Sequence, residues 1–309
     1  MKLTNHFSDK SNHFAFKLLI LVILSSTFVT AILLVSGPVK LVPQILLGLM
    51  FAHSVELIHE LGHHVLFFNE RINRWLGVVL GFPMLVSFSR YKALHGFHHR
   101  ALGTPEDKES FNYSYESLTS LPGFLFHLSM LGHYSNSLNL MRASVFGEIR
   151  EENVPSSVLQ RIRNEFRLMA ALLLIMLVLS IWLQTSIFVD IWLIPLLLSA
   201  SIAHALIELP EHLGCDSKTT NLFQNTRTIR TSKLMNWYVN GNNFHVEHHI
   251  NPSWPIDRLS ELHNQVALQI EHLEPSYWAF YRKFLSNLYH RSVRQKNQVD
   301  LSTTEFVKK

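Results

Sequence analysis

The sequence predicts an all-α fold in which four transmembrane helices carry a histidine-rich cap on one membrane face. Three observations predict it. Hydrophobic residues make up 48% of the 309-residue chain against 16% charged, and mean hydropathy is positive at +0.14, a composition that excludes general disorder. The apolar residues collect in four stretches near the roughly 20 residues that a helix needs to cross a bilayer. The basic residues fall almost wholly on one side of those stretches.

Taken in order, residues 1–16 read as a cytoplasmic N-terminal segment and 17–290 as one membrane domain. The first span covers 17–35 and ends at the Gly37–Pro38 break. A signal peptide is the weaker reading, because no small-residue cleavage site follows and the next apolar run begins almost at once. The second span, 41–68, is longer than a crossing needs. Its last third carries Glu56, His59, Glu60, His63 and His64, so that end should project from the lipid. Two shorter apolar runs, 75–88 and 121–131, read as re-entrant or interfacial helices. The third and fourth spans, 168–183 and 187–209, form a hairpin around Gln184 and Asp190. The polar stretch 291–309 reads as a frayed, disordered tail.

Of the 27 Lys and Arg, 3 precede the first span, 11 lie between the second and third, and 12 follow the fourth. Only Lys40 falls on the other side. The positive-inside rule then places both termini, and the long segment after the second span, in the cytoplasm. A net charge of +4 is too weak a signal for a nucleic-acid partner. The single cysteine, Cys215, excludes an internal disulfide framework and any cysteine-built zinc or iron–sulfur site.

Nineteen histidines are the outlying number, and they cluster with ligand spacing. In His59-Glu60-Leu61-Gly62-His63-His64, His59 and His63 are i and i+4 neighbours, so both rings can meet one metal. His95-Gly96-Phe97-His98-His99 and His245-Val246-Glu247-His248-His249 are both HxxHH. Each can supply three nitrogens to one metal or divide them between two. His212, four residues after Glu208 where the fourth span leaves the membrane, is a further candidate ligand, with Pro210 kinking or ending the helix between them. His53 and His204 lie within spans and read as satisfied interior histidines. His6, His13, His127, His133, His263, His272 and His290 lack ligand spacing and read mainly as solvated. Eight or nine imidazoles exceed what one tetrahedral or octahedral ion takes, so two metals are expected. Imidazole alone does not choose among iron, copper and zinc.

The boxes HELGHH at 59–64, HGFHH at 95–99 and HVEHH at 245–249, in that order over about residues 51–262, resemble the integral-membrane fatty acid desaturase and hydroxylase superfamily. Asn225-Thr226-Arg227-Thr228, Asn243-Phe244 before the third box and Asn251-Pro252 after it resemble bacterial members, which implies a bacterial inner membrane. The resemblance implies a di-iron centre held by His59, His63, His95, His98, His99, His245, His248 and His249, with His212 completing the set and dioxygen as co-substrate. The family carries asparagine where Glu208 stands here. The resemblance also implies a lipid or acyl substrate, oxidised at an unactivated C–H bond, and an external electron donor of ferredoxin or cytochrome b5 type with its reductase. No HPGG haem motif occurs that would supply an appended donor domain. Desaturation of an acyl chain is the favoured reaction, with hydroxylation or ketone formation as alternatives. Glu60 and Glu247 are candidate carboxylates for orienting imidazoles, and Arg227 could hold an anionic head group.

Two readings compete. His59-Glu60-Leu61-Gly62-His63 also fits HExxH, the zinc-protease motif with glutamate as general base. That reading needs an acidic ligand from another span, and Asp190 lies on the opposite face. A metal transporter would want polar residues strung through the spans, whereas these ligands gather at one end.

Overall fold

A computed structural model of the protein describes residues 2–63, 69–107 and 118–306, with side chains over 12–63, 69–107 and 118–291. Among the described residues, four helical stretches are long and apolar enough to cross a membrane: Asn12–Leu34, Pro38–His63, Ser156–Trp182 and Phe188–Glu211. The expected four-span, all-α architecture is therefore the observed one. Its only sheet among the described residues is a three-residue parallel pair.

Helix α1 (Lys2–Leu34) enters the first span five residues earlier than hydropathy alone suggests. Phe14 and Lys17 are already buried there. Helix α2 (Leu41–His63) is the central post, buried along most of its length. It packs on α1, on the fourth span, and on α3 (Glu70–Gly81) and α4 (Phe88–Ala101). Gly48 makes the closest approach: a Cβ there would collide with the Pro195 carbonyl oxygen and Ser199 Oγ of the fourth span. Ser199 Oγ also donates to the Ile45 carbonyl across this contact (2.8 Å).

Helices α3 and α4 form a bent pair, the segments Glu70–Met84 and Phe88–Ala101 meeting at 95°. Gly77 makes the fold-back possible, because the Phe88 ring lies where a Cβ would stand. Pro83 and a left-handed Leu85 (φ 56°) make the corner. Ser87 Oγ accepts from Arg90 N (3.3 Å) and caps the start of α4. This is the expected short re-entrant or interfacial piece, now seen to deliver the second histidine box.

Helix α5 (Leu121–Ser129), capped by Ser120, and α6 (Leu131–Phe146) follow. Helix α7 (Ser156–Trp182) starts well before the apolar run that hydropathy marks, because Pro155 opens it and nothing in 156–167 breaks it. The fourth span winds through π-helical turns at Phe188–Leu193 and Leu196–Ala200 before α8 (Ser201–Glu208). Its α-helical ladder stops at Glu208, and Leu209-Pro210-Glu211 forms a tight 3₁₀ turn that presents His212, as the proline predicts.

The remaining chain forms a cap of short elements: α9 (Leu222–Asn225), β1 (Arg227–Ile229), α10 (Lys233–Tyr238), α11 (His245–Ile250), α12 (Leu259–Val266) and β2 (His272–Glu274). Strand β1 pairs with β2 in the register Arg227↔His272, Thr228↔Leu273 and Ile229↔Glu274. Thr228 also bridges antiparallel to Phe244, which docks the third box against the strand. Helix α13 (Tyr277–Phe306) carries helical backbone through most of the segment expected to fray; that stretch contains no glycine or proline. His64 falls outside the described residues.

Exposed apolar side chains concentrate where lipid would lie. Leu19, Val22 and Ile23 on α1 and Leu174, Ile175, Val178 and Ile181 on α7 are all exposed. The polar interior gathers instead around the end of α2.

Candidate metal centre

Among the described residues, nine imidazoles converge where α2, α4, α11 and the turn after α8 meet. They sort into two groups: His59, His63, His95, His99 and His248, then His98, His212, His245 and His249. Within each group the potential ligand atoms lie within 4.8 Å of one another. These are the nine histidines that the sequence marks, and the structure brings all of them together.

The partition follows from helical geometry. On α4, His95 and His99 are i and i+4 and share a face. His98, one residue earlier, is rotated toward the second group. Helix α11 repeats the pattern in mirror assignment. His245 and His249 are the i, i+4 pair and join the second group, while His248 reaches across to the first. Each HxxHH box thus divides its nitrogens between the two groups.

The first group closes a ring of Nε2 atoms. His59–His95, His95–His99 and His99–His248 are each 3.0 Å apart, and His248–His59 is 2.8 Å. His63 Nε2 lies 2.9 Å from that of His95. In the second group His245–His212 is 3.2 Å and His249–His245 is 3.1 Å. Donors at right angles around an ion about 2.1 Å away lie about 3.0 Å apart, whereas tetrahedral donors lie about 3.4 Å apart. The five-histidine group, a ring of four with His63 beside His95, matches the right-angle spacing, and the second group falls between the two.

Proton bookkeeping leads to the same fit. His98 Nδ1–H donates to Asp107 Oδ1 (2.9 Å), and His212 Nδ1–H donates to the Asn225 carbonyl (3.0 Å). Each bond fixes the tautomer and turns an Nε2 lone pair into the cluster. Burial holds His245, His248 and His249 well below the usual imidazole range, with neighbouring imidazoles adding to the effect. Burial likewise pushes His212 down to about 3. Neutral imidazoles facing one another by their lone pairs, away from water, require a cation between them. The donor set fits two metal ions.

The two candidate carboxylates, Glu247 and Glu60, differ in what they meet. Glu247 is fully buried, but it accepts from His263 Nδ1 (2.5 Å) and Thr228 Oγ1 (2.6 Å). The imidazole it orients is thus outside both groups, because α12 packs on the face of α11 that carries Glu247. Glu60 accepts from Asn240 Nδ2 (3.1 Å), which also donates to the Glu56 carbonyl (3.1 Å) and whose Oδ1 accepts from Lys17 Nζ (2.6 Å). Two carboxylates that reach the nine are Asp107 and Glu211, whose Oε2 lies 3.3 Å from His245 Nε2. Neither was singled out from the sequence. Glu211 stood beside an expected ligand and could have been noticed, whereas Asp107 carries no periodic signal.

His204 is buried between Glu56 (3.4 Å) and Glu208 (3.1 Å), an interior histidine as expected. His53 donates to the Tyr238 carbonyl (2.6 Å) in the same role. His127 and His133 are buried rather than solvated; His133 Nε2 donates to the Met84 carbonyl (2.9 Å), because α6 folds back over the corner between α3 and α4. Arg227 is buried, stacks on Phe280 (4.8 Å) and donates to the Pro210 carbonyl, bracing the turn that carries His212. Asp190 is engaged by Lys40 (2.9 Å) and Gln44 at the opposite end of the bundle. Among the described residues no acidic ligand joins the group of His59 and His63, which three further histidines complete.

A family model described as Fatty acid desaturase matches residues 36–281. No curated protein matches the sequence. The matched region spans α2 through the first turns of α13 and includes all nine histidines.

Proposed function

The chain belongs to the fatty acid desaturase family, a desaturase- or hydroxylase-type fatty-acid-modifying group, and from that premise we propose that it is a membrane di-iron acyl desaturase. The observation that carries the proposal is the pair of histidine groups, five and four strong, with right-angle donor spacing in the larger one. Iron accommodates five or six nitrogen donors, whereas a structural zinc is satisfied by four. Two irons held there supply reductive activation of dioxygen for attack on a C–H bond.

This chain's residues do the rest. His59, His63, His95, His99 and His248 would hold one ion, and His98, His212, His245 and His249 the other. Asp107 and the Asn225 carbonyl keep His98 and His212 in the tautomer that ligates. Tyr91 stacks on His95 (ring centroids 5.2 Å apart), fixing that ring's plane. Val55, Glu56, Tyr91, Glu208, Glu211 and Asn242 line a small enclosed space beside His59, His95, His98 and His245, which excludes bulk water from the reacting centre. A second cavity of about 310 Å³ opens beside the turn after His212. Apolar Leu118, Leu213, Phe280, Phe284 and Leu288 share its lining with Glu274, Lys283, Asn287 and Arg291, and Arg227 borders it. It suits an acyl chain whose polar end meets the guanidinium. The charge asymmetry supports a cytoplasmic site, to which a separate donor would deliver electrons.

The test is expression of the full chain with a ferredoxin and reductase, followed by mass spectrometry of acyl products. Loss of a hydrogen pair supports desaturation, and gain of one oxygen moves the reading to hydroxylation. His98→Ala and His248→Ala, which strike different groups, should each abolish the product. Retained turnover in either would refute the ligand assignment.

A further inference from the structure

A second built site lies away from the histidines. Helices α3, α4 and α7 enclose a cleft of about 400 Å³ lined by Arg71, Arg74, Lys92 and Arg161, with Asn73 and Ser89 between them and Glu70 at the rim. Four cations from three helices thus face one space with a single lining carboxylate. Arg71, Lys92 and Arg161 have no ion-pair partner among the described residues. Glu165, buried behind the cleft, pairs with Arg74 and leaves the charges of Arg71, Lys92 and Arg161 unmet among the described residues. Its carboxylate accepts from Ser87 Oγ (2.7 Å), Ser89 N (2.9 Å) and Ser89 Oγ (2.5 Å), and Arg74 stands 3.8 Å off.

The faces of α3 set the height of this cleft relative to the membrane. Asn73, Gly77, Leu80 and Gly81 are buried against the protein. Ile72, Trp75 and Val79 form a separate, exposed apolar stripe at helical spacing. Arg71 and Arg74 lie on the flank between these faces, the Arg74 guanidinium 4.8 Å over the Trp75 ring. An apolar stripe with a tryptophan and a cationic flank is how a helix lies in a bilayer interface. The cleft therefore opens at head-group level, and acyl chains can lie along the exposed stripe.

We propose that the α3–α4–α7 cleft binds the phosphodiester head group of an anionic phospholipid of the leaflet facing the histidine cap. The ligand chemistry is a phosphate oxygen pair met by guanidinium forks, with Lys92 as a point charge. A soluble acidic protein is the less suitable occupant, because the cations sit within a concavity beside apolar surface rather than on a convex face. The site is independent of the reaction assigned to the metal centre.

The test uses the full chain in detergent, titrated with dioleoylphosphatidylglycerol or dioleoylphosphatidylcholine in mixed micelles, with bound lipid counted by native mass spectrometry. Expected is about tenfold preference for the anionic lipid, collapsing toward parity in R74Q/K92Q/R161Q, since each cation at an anionic surface contributes measurably. The single variants R161Q and K92Q, both at exposed side chains, should each lose part of it and keep the fold. Millimolar inorganic phosphate should leave the lipid bound. The proposal is overturned by equal retention of both lipids, by undiminished preference in the triple variant, by displacement with phosphate alone, or by capture of an acidic soluble protein without lipid preference.

Discussion

Asp107 offers the sharpest test of the two-group arrangement, because it touches one group and not the other. Its carboxylate receives His98 Nδ1–H at 2.9 Å, with the second oxygen at 3.2 Å. His98 is 2% exposed and Asp107 23%. A hydrogen bond to a charged acceptor contributes about 1.5–3 kcal/mol, and the partial exposure of Asp107 argues for the lower half of that range. Carboxylates backing a ligating imidazole are typically worth about 10–100-fold in metal affinity. Asp107→Ala should therefore weaken metal retention at His98, His212, His245 and His249 by about tenfold to thirtyfold. The five-histidine group draws none of its orientation from Asp107 and should keep its ion. The assay is iron per chain after ferrous reconstitution and timed dialysis against a chelator. The variant should fall from two ions toward one while the parent holds both. Asp107→Asn, which can still accept through its amide oxygen, should lie between. Loss of both ions together, or retention of both at the parental rate, would refute the division of labour.

Three further outcomes follow from packing and burial. Gly48→Ala should sharply lower the yield of folded protein, because the added methyl meets the Pro195 carbonyl and Ser199 Oγ; size-exclusion of detergent extracts would show it as aggregation, and a monodisperse peak would contradict it. Lys17→Met should lower the thermal midpoint, since it strips Asn240 Oδ1 of a buried donor at 2.6 Å and a buried acceptor left unmet costs about 1–3 kcal/mol; an unchanged midpoint would mean that Asn240 is held by its other bonds alone. His133, pushed by burial from its ordinary 6.5 down to about 4, stays neutral when folded while the unfolded chain takes up a proton. Stability therefore falls as pH drops from 6.5 toward about 4. His133→Gln should make that fall shallower in a pH series of unfolding midpoints, and an identical slope would count against it.

How far the site could be read from sequence depends on the range of each interaction. The nine histidines were legible because HxxxH and HxxHH are local patterns and one helical turn suffices to interpret them. Their division into five and four was not, because which face of α4 meets which face of α11 is set by packing 150 residues apart in the chain (His99 with His248, for example). Glu247 shows the same limit. A carboxylate inside a ligand box reads as a partner for its neighbours, yet α12 brings His263 to it from 16 residues away. His133 was misread because an isolated polar residue defaults to solvent, and only the fold-back of α6 onto Met84 buries it. The spans were legible from hydropathy, but the early start of α7 at Ser156 was not. Helix formers of mixed polarity extend that helix without any apolar signal.

The π-helical turns of the fourth span bear on how this chain tolerates change in length. Removing one residue from a regular transmembrane helix rotates everything beyond it by about 100°. Applied upstream of His204, Glu208 and His212, that would swing all three away from their partners. The turns at Phe188–Leu193 and Leu196–Ala200 hold surplus residues, since a π turn amounts to an α turn with one residue let in. A single deletion there can be absorbed by tightening the turn, leaving the facing of the metal-proximal end as it was. The span thus holds slack against shortening that a regular helix of the same residues would not.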